Sequence, residues 1–236
     1  MQEREKLVQY NELSVAQSLT SPERIPLEQL HSWWQIAHET CVTRGFAGIA
    51  FNQFPGRTLG EIGFGGLRPR IIYLSSENTY EDPLCDRLMV NPTNFVIDSD
   101  GYYPNLEACG SITDRDGSYV WMFVMRPRRL LVHGWTWKPG EQKVTEMLFV
   151  AHSNISAIVH HEMEHLDGLT ALSYPYWISD FRDPTEWEDI QNTYNTPETT
   201  TLESELAKHS PFLVFDASER QLLVVEIDGT VRGKFQ

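Results

Sequence analysis

Cysteine is scarce in this chain, and basic side chains are outnumbered by acidic ones. The three cysteines, Cys41, Cys85 and Cys109, cannot all pair, which excludes a scaffold that uses every thiol in disulfides. Lys and Arg number 19 against 33 Asp and Glu, for a formal net charge of −14. Such a charge repels phosphate backbones and anionic lipids. We therefore expect neither nucleic acid nor a membrane surface as a partner.

Long apolar runs are also missing. No uninterrupted stretch approaches the ~20 residues that a membrane-spanning helix needs. The N-terminal sequence "MQEREKLVQYNELS" lacks the apolar core of a secretion signal. These features predict a cytoplasmic protein whose cysteines stay reduced, with at least one thiol kept for chemistry.

Apolar content is nevertheless high enough for a folded core. Of the 236 residues, 41% are hydrophobic, and they include 7 Trp and 11 Phe. The apolar spacing predicts one helix that begins at "SPE" and ends at Gly45, and a second from about Ser153 to Leu166 that Gly168 closes. Strand-like segments lie between them. We predict an N-terminal segment (1–24), a main domain (25–175) and a C-terminal extension (176–236) with a polar linker and a β-hairpin.

The stretch "HHEMEHLDG" (160–168) carries the strongest chemical signal. On a helix, residues four apart share a face, so His161 and His165 present two imidazoles to one point. Glu162 lies about 100° around the helix yet can reach a water held at that point. This is the arrangement of the HExxH motif, with two metal ligands and a general base. The alternative is a polar helical turn that binds nothing.

A catalytic metal needs a third protein ligand. Downstream of the motif, neither His209 nor the acidic residues Asp167, Asp180 and Glu186 lie in a convincing second ligand helix. Upstream, "LEACGSI" (106–112) places Cys109 beside a glycine. Cys109 is therefore a candidate ligand, and the alternative is a buried free cysteine, which is common.

Three motifs together resemble the peptide deformylase family. They are "GIAFNQ", "EACGSI" and "HHEMEHLDG", in the family's order, against the family patterns GxGxAAxQ, EGCLS and HExxH with a following Leu-x-Gly. The resemblance covers roughly residues 25–175. It implies an α+β fold with antiparallel strands around a central helix that bears HExxH, here followed by the C-terminal extension.

The resemblance implies a set of site residues. Cys109, His161 and His165 would hold one divalent ion, commonly Fe²⁺ and replaceable by Zn²⁺, Ni²⁺ or Co²⁺. Glu162 would take a proton from the attacking water and pass it to the leaving amine. The Gln53 side chain and the backbone N–H of Gly110 would donate to the developing oxyanion.

Other residues would shape or support the site. Glu107 matches a family residue that pairs with an arginine; Arg126 is the expected partner, with Arg128 and Arg129 as alternatives. We predict a set of residues that line the substrate pocket or support the ligands: Gly48, Ile49, Glu107, Arg126, Asn154, Ala157 and Ile158.

The chain departs from the family patterns around these ligands. Ala108 and Gly110 replace a glycine and a leucine of EGCLS, and Phe46, Phe51 and Asn52 replace a glycine, an alanine and a proline of the Gln53 motif. The main prediction is removal of formyl groups from N-formylmethionyl peptides. The alternatives are hydrolysis of a non-peptide N-formyl or N-acyl compound, or a catalytically silent metal-binding homologue. The oligomeric state is open.

Overall fold

The computed structural model describes residues 7–76, 84–96, 101–115, 117–173, 212–216, 221–225 and 230–234. The helices are α1 (Leu27–Arg44), α2 (Gly56–Glu61) and α3 (Ser153–Leu166). The strands are β1 (Gly48–Ala50), β2 (Ile71–Leu74), β3 (Arg87–Val96), β4 (Tyr102–Thr113), β5 (Tyr119–Pro127), β6 (Arg129–Trp137), β7 (Thr145–His152), β8 (Phe212–Asp216), β9 (Gln221–Val225) and β10 (Val231–Lys234). No helix among these residues is long and apolar enough to cross a membrane.

Contacts divide the chain into two compact units. Unit 1 comprises Met1–Gly101 and Pro127–Ser173, and unit 2 comprises Tyr102–Arg126 and Tyr174–Gln236. The three regions predicted from the sequence remain a prediction. The polar linker expected after residue 175 lies outside the described residues.

Unit 1 is built on a five-stranded sheet with the order β1-β2-β3-β6-β7, and each neighbouring pair is antiparallel. Alternate residues of its strands enter two different apolar clusters, as the period of two in a strand requires. One cluster includes Ile71 and Tyr73 and packs under α1; the other includes Ile72 and Leu74 and packs under α3. The sheet therefore has a packed core on each face.

Helix α3 has the bounds that the periodicity predicted. Its core-facing residues recur every three or four positions, at Ile155, Val159, Met163 and Leu166. It ends where Gly168 takes a positive φ of 73°, and the N–H of Leu169 donates to the carbonyl of Glu164 at 2.8 Å. This Schellman-type ending fixes the last turn of the helix.

Unit 2 contains the second sheet, with the order β10-β9-β8-β5-β4. The β8–β9 and β9–β10 pairs are antiparallel, but β5 and β8 run parallel. The prediction of antiparallel strands is therefore wrong for that one pair. More than a dozen residues separate the two strands along the chain, and this is the condition for a parallel crossover.

Candidate metal centre

Two histidines of α3 lie side by side in unit 1. The Nε2 atoms of His161 and His165 are 3.0 Å apart, and both side chains are buried. The rings are perpendicular, with centroids 4.6 Å apart. Both imidazoles therefore direct the same ring nitrogen toward one point, as the spacing of four residues predicted.

The tautomer of His165 suits a metal ligand. Its Nδ1 lies 3.0 Å from the backbone carbonyl of Leu169. A carbonyl can only accept a hydrogen bond, so we assign the proton of the neutral ring to Nδ1. The lone pair is then on Nε2, the atom that faces His161. The ending of α3 that places Leu169 thus also orients the ring.

Cys109 lies on β4 of unit 2. The residue is 1% exposed, and the backbone N–H of Ser111 donates to its Sγ at 3.4 Å. The thiolate is the form of a cysteine that binds metals.

These three side chains form a group that could bind a metal ion. One ligand atom from each of Cys109, His161 and His165 lies within 4.8 Å of the other two. One sulfur and two imidazole nitrogens are a donor set that suits Zn²⁺ and similar divalent transition metals. Three protein ligands leave a further position open, as catalytic sites require.

The other cysteines have a different environment. Burial raises the pKa of Cys41 well above its usual value, and the carboxylates of Glu162 and Asp86 raise that pKa further. Cys41 is therefore a neutral thiol on the buried face of α1. Cys85 is buried in the cluster under α3. Of the three thiols, only Cys109 belongs to the candidate metal group.

Glu162 is 5% exposed and lies against β1. A Cβ atom added to Gly48 would lie 3.1 Å from both Cγ and Oε1 of Glu162 and 3.1 Å from Cγ2 of Ile158. Such distances are shorter than ordinary van der Waals contact. The absence of a side chain at position 48 thus makes room for the carboxylate.

Gln53 closes a 3₁₀ turn, Phe51–Gln53, directly after β1. Its Oε1 accepts a hydrogen bond from the N–H of Ala50 at 3.0 Å. This contact identifies the amide oxygen, so the opposite side of the amide is the NH₂ donor. Gln53 is 3% exposed. Gly110, the second predicted donor, follows Cys109 on β4 of unit 2 and is partly buried.

The comparisons with known proteins agree on one family. A model of the polypeptide deformylase family matches residues 65–175. The Met-Ala-Ser-bound class I type b peptide deformylase from Acinetobacter baumannii is 20% identical, with a TM-score of 0.52 over 72% of this chain and 97% of that one. A probable peptide deformylase from Synechococcus phage S-SSM7 is 18% identical, with a TM-score of 0.52 over 72% and 98%. Peptide deformylase 1B from Arabidopsis thaliana is 15% identical, with a TM-score of 0.54 over 81% and 92%. A search of curated proteins finds no match.

Residues 65–175 thus match the polypeptide deformylase family, and the chain shares the fold of peptide deformylases at low sequence identity. The family implies a metal-dependent hydrolase, and the group of Cys109, His161 and His165 could bind the metal. The matched segment includes these three residues and Glu162 but begins after Gln53. The Gln53 motif is also the one that resembled the family least in sequence.

Asn52 has a structural role that the sequence did not reveal. It is fully buried, and its Nδ2 donates to the backbone carbonyls of Ser14, at 2.9 Å, and of His165. A proline at this position, as in the family pattern, could make neither bond. Its replacement by asparagine was visible in the sequence, but the acceptors were not. Asn52 thus links the 3₁₀ turn to the last turn of α3.

Glu107 and Arg126 form the predicted ion pair within unit 2. Arg126 Nε donates to Glu107 Oε2 at 2.9 Å, and Arg126 Nη2 donates to Glu107 Oε1. Asn105 Nδ2 adds a bond to Glu107 Oε2 at 3.0 Å. Arg126 is 0% exposed and Glu107 is 9% exposed. This forked pair connects β5 to β4, two residues before Cys109.

We predict that Arg126→Met will destabilise the protein by about 3–5 kcal/mol, because it leaves the Glu107 charge buried without its main partner. The free energy of unfolding in urea measures this loss. The double variant Glu107→Leu/Arg126→Met should recover much of it, because an apolar pair carries no buried charge. Arg57→Met, which breaks an exposed pair with Glu61, should cost under about 1 kcal/mol. A similar loss in Arg57→Met and Arg126→Met would contradict the prediction.

The remaining residues predicted for the pocket differ in exposure. Ile49 and Ala157 are buried, and Ile158 is partly buried beside Gly48. Asn154 is exposed in the first turn of α3. A place for Asn154 in the pocket remains a prediction.

Proposed function

We propose that this chain is a peptide deformylase that hydrolyses the formyl group from N-formylmethionyl peptides and releases formate. The observation that carries the proposal is the meeting of Cys109, His161 and His165 within 4.8 Å, with Glu162 buried on the same helical turn as the histidines. A binding module would need no general base at that position. Neither a non-peptide substrate nor a silent homologue is favoured by the comparisons.

In this proposal, Cys109, His161 and His165 hold one divalent ion, and Fe²⁺ is the ion we expect in the cell. Such an ion lowers the pKa of water and polarises a carbonyl. Glu162 accepts the proton of the attacking water and returns it to the amine nitrogen as the C–N bond breaks. Burial of the carboxylate keeps it near the reacting atoms and away from bulk solvent.

Two donors stabilise the oxyanion in this proposal, the Gln53 amide NH₂ and the backbone N–H of Gly110. The bond from Ala50 to Gln53 Oε1 supports this assignment because it turns the NH₂ away from β1's backbone. The N–H of Val8 also donates to the Gln53 carbonyl at 2.9 Å. Both bonds hold the residue in place before the substrate binds, which is what electrostatic stabilisation requires.

A peptide substrate is supported by one of the similar structures. The Acinetobacter baumannii deformylase has been crystallised with Met-Ala-Ser bound. Met-Ala-Ser is what remains when formate is removed from formyl-Met-Ala-Ser. We extend this preference to the present chain and propose that an N-terminal formylmethionine is the group it acts on.

Formate release from formyl-Met-Ala-Ser by the Fe²⁺- or Ni²⁺-loaded protein tests the proposal. We expect turnover that requires the metal, and much weaker turnover of a small formylated amine without a peptide. Acetyl-Met-Ala-Ser is the matched control for the formyl group. A metal-loaded protein that releases no formate from the peptide at stoichiometric enzyme would contradict the proposal. Faster formate release from the small formylated amine would indicate a non-peptide substrate.

Gly48→Ala should lower kcat by roughly 10–100-fold, because a displacement of about 1 Å at a catalytic group can have an effect of that size. The added methyl would contact the Glu162 carboxylate. Gly60→Ala on α2 is the matched control, because no atom lies within 4 Å of its added Cβ. Steady-state kinetics with formyl-Met-Ala-Ser, beside a thermal melt, separates lost activity from lost stability. Unchanged kcat in Gly48→Ala would argue against Glu162 as the base.

A further inference from the structure

Strand β7 ends the sheet of unit 1, and among the described residues no strand pairs with its outer edge. It is eight residues long, "TEMLFVAH", with no lysine and no proline. Natural edge strands are usually protected from pairing by short length, inward charges, proline or bulges. Its pairing with β6 is regular from Thr145 to His152, without a bulge. The edge of β7 therefore has the features of a strand that pairs with another chain.

One face of β7 carries what we call the outer row: Glu146, Leu148, Val150 and His152. These residues alternate with Met147 and Phe149, which pack into the cluster under α3. Leu148 is 64% exposed and Val150 is 38% exposed. The outer row thus presents apolar side chains to solvent on the face opposite α3.

The exposed apolar surface continues across the neighbouring strands. Val150 is the cross-strand neighbour of Leu131 on β6, and Leu131 is the neighbour of Phe95 on β3. Phe95 is 68% exposed. Directly opposed side chains on one sheet face contact each other, so these three residues and Leu148 form one patch beside the free edge. Exposed apolar patches at such a place mark protein–protein contacts.

We propose that β7 pairs antiparallel with β7 of a second copy, so that two sheets join into one. The order of side chains in the outer row supports a second copy over an unrelated partner. The row reads acid, apolar, apolar, base, and the same row read in reverse is its complement. When Phe149 of one copy lies opposite Phe149 of the other, Glu146 faces His152 of the second copy, and Leu148 faces its Val150.

Other registers lose this match. A shift by one residue on each strand keeps the outer row on one face but sets Glu146 opposite Val150, or Leu148 opposite His152. Such pairs lose the cross-strand contribution of matched side chains. Arg129 on β6 is the cross-strand neighbour of His152, so the basic end keeps a positive charge whatever the protonation of the histidine. Glu146 also pairs with His133 of its own chain at 2.9 Å, so the two-fold register is favoured by the match of the whole row and not by this one charge.

The net charge of −14 opposes self-association in general. It does not oppose this contact specifically, because the acidic Glu146 would lie near Arg129 of the second copy, and repulsion between distant charges is screened at physiological salt. Strand pairing of this kind closes after two copies, because one edge among the described strands has these features and the contact is isologous. We thus expect a dimer and no higher assembly.

Sedimentation velocity of the full chain, at concentrations up to about 100 µM, tests the proposal. We expect a reversible monomer–dimer equilibrium. Leu148→Lys should weaken dimerisation by at least about tenfold in Kd, because it places a charge in the apolar centre of the contact. Val42→Lys is the matched control; Val42 is 40% exposed on α1, which contacts β1 and β2 at the other edge of the sheet. A monomer at every concentration, or a dimer that Leu148→Lys leaves unchanged, would overturn the proposal.

A charge exchange tests the register. Glu146→Lys alone should weaken the dimer, because it sets two basic residues opposite each other. Glu146→Lys/His152→Glu should restore most of the lost affinity, because the row again matches its own reverse. A double variant that dimerises no better than Glu146→Lys would show that the pairing is not the one proposed. Thermal melts check that each variant stays folded, and formate release from each reports the proposed active site separately.

Discussion

Glu162→Gln should lower kcat/KM for formyl-Met-Ala-Ser by about 10²–10⁴-fold, the usual contribution of a positioned acid–base group. The amide keeps the size and shape of the carboxylate, so the packing against Gly48 should change little. It cannot accept the proton of the attacking water, and it cannot return one to the leaving amine. Formate release measured under single-turnover conditions gives the size of the effect on chemistry itself.

A matched control lies on the same helix. Glu164→Gln makes the same change two residues away, at a side chain that pairs with His160 at 3.2 Å. Glu164 is also buried, so the two variants remove a buried carboxylate of similar exposure. We expect Glu164→Gln to keep most of the activity. Equal losses of activity in the two variants would indicate a general effect of removing a charge from α3. They would contradict the proposed role of Glu162 as the general base.

The metal content of Glu162→Gln distinguishes a general base from a metal ligand at this position. Glu162→Gln should bind one divalent ion per chain, as we expect of the parent protein, because the Glu162 side chain is not among the three grouped ligand residues. A variant that lost both metal and activity would place Glu162 among the ligands. A variant that kept both would show that Glu162 is not the general base.

Helices α1 and α3 of unit 1 could be predicted from local pattern, whereas α2 (Gly56–Glu61) was not predicted. In α3, apolar residues recur at helical spacing and a glycine follows the last turn, so both bounds could be read from the sequence. The predicted start of the first helix at "SPE" is wrong: Pro22–Arg24 forms a separate 3₁₀ turn, and α1 begins only at Leu27 after Pro26. A second proline close to a Ser-Pro-Glu start allows either boundary, because proline suits the first turn of a helix.

Unit 2 shows where local pattern is insufficient. Strand β4 is twelve residues long, yet its sequence "YYPNLEACGSIT" contains proline and glycine, which disfavour strands. Its position in the sheet depends on β5 and on strands that follow more than 90 residues later. The sequence alone shows only a short extended segment around Cys109. The parallel β5–β8 pair depends on the same distant partners.

Local pattern likewise predicts only part of the candidate site. His161, Glu162 and His165 lie within five residues on one helix, and helix geometry alone predicts that the two imidazoles meet. Cys109 is more than 50 residues away in the sequence, so only the resemblance to a family connected it to them. Asn52 was visible as a departure from the family pattern, but its bond to the His165 carbonyl depends on a fold that no local rule contains.

Cys109→Ala should weaken the binding of a divalent metal by more than about 100-fold, since even the outer hydrogen-bond partners of metal ligands contribute about 10–100-fold. Activity should fall with the bound metal. Competition with a chelator measures the affinity. The spectrum of the Co²⁺-loaded protein reports the ligand itself, because a thiolate–cobalt charge-transfer band should be present in the parent chain and absent from Cys109→Ala.

The expected pattern differs for a histidine ligand and for an unrelated thiol. His165→Ala should also weaken metal binding, but any Co²⁺ that remains should keep the thiolate band, because the sulfur is still there. Cys85→Ala is the control for a buried cysteine, and it should retain both affinity and band because Cys85 packs in the apolar cluster under α3. If Cys109→Ala kept the band and the affinity while Cys85→Ala lost them, the sulfur ligand would have to be reassigned. The proposed deformylase site would then lose its third ligand, and with it the physical basis for water activation beside Glu162.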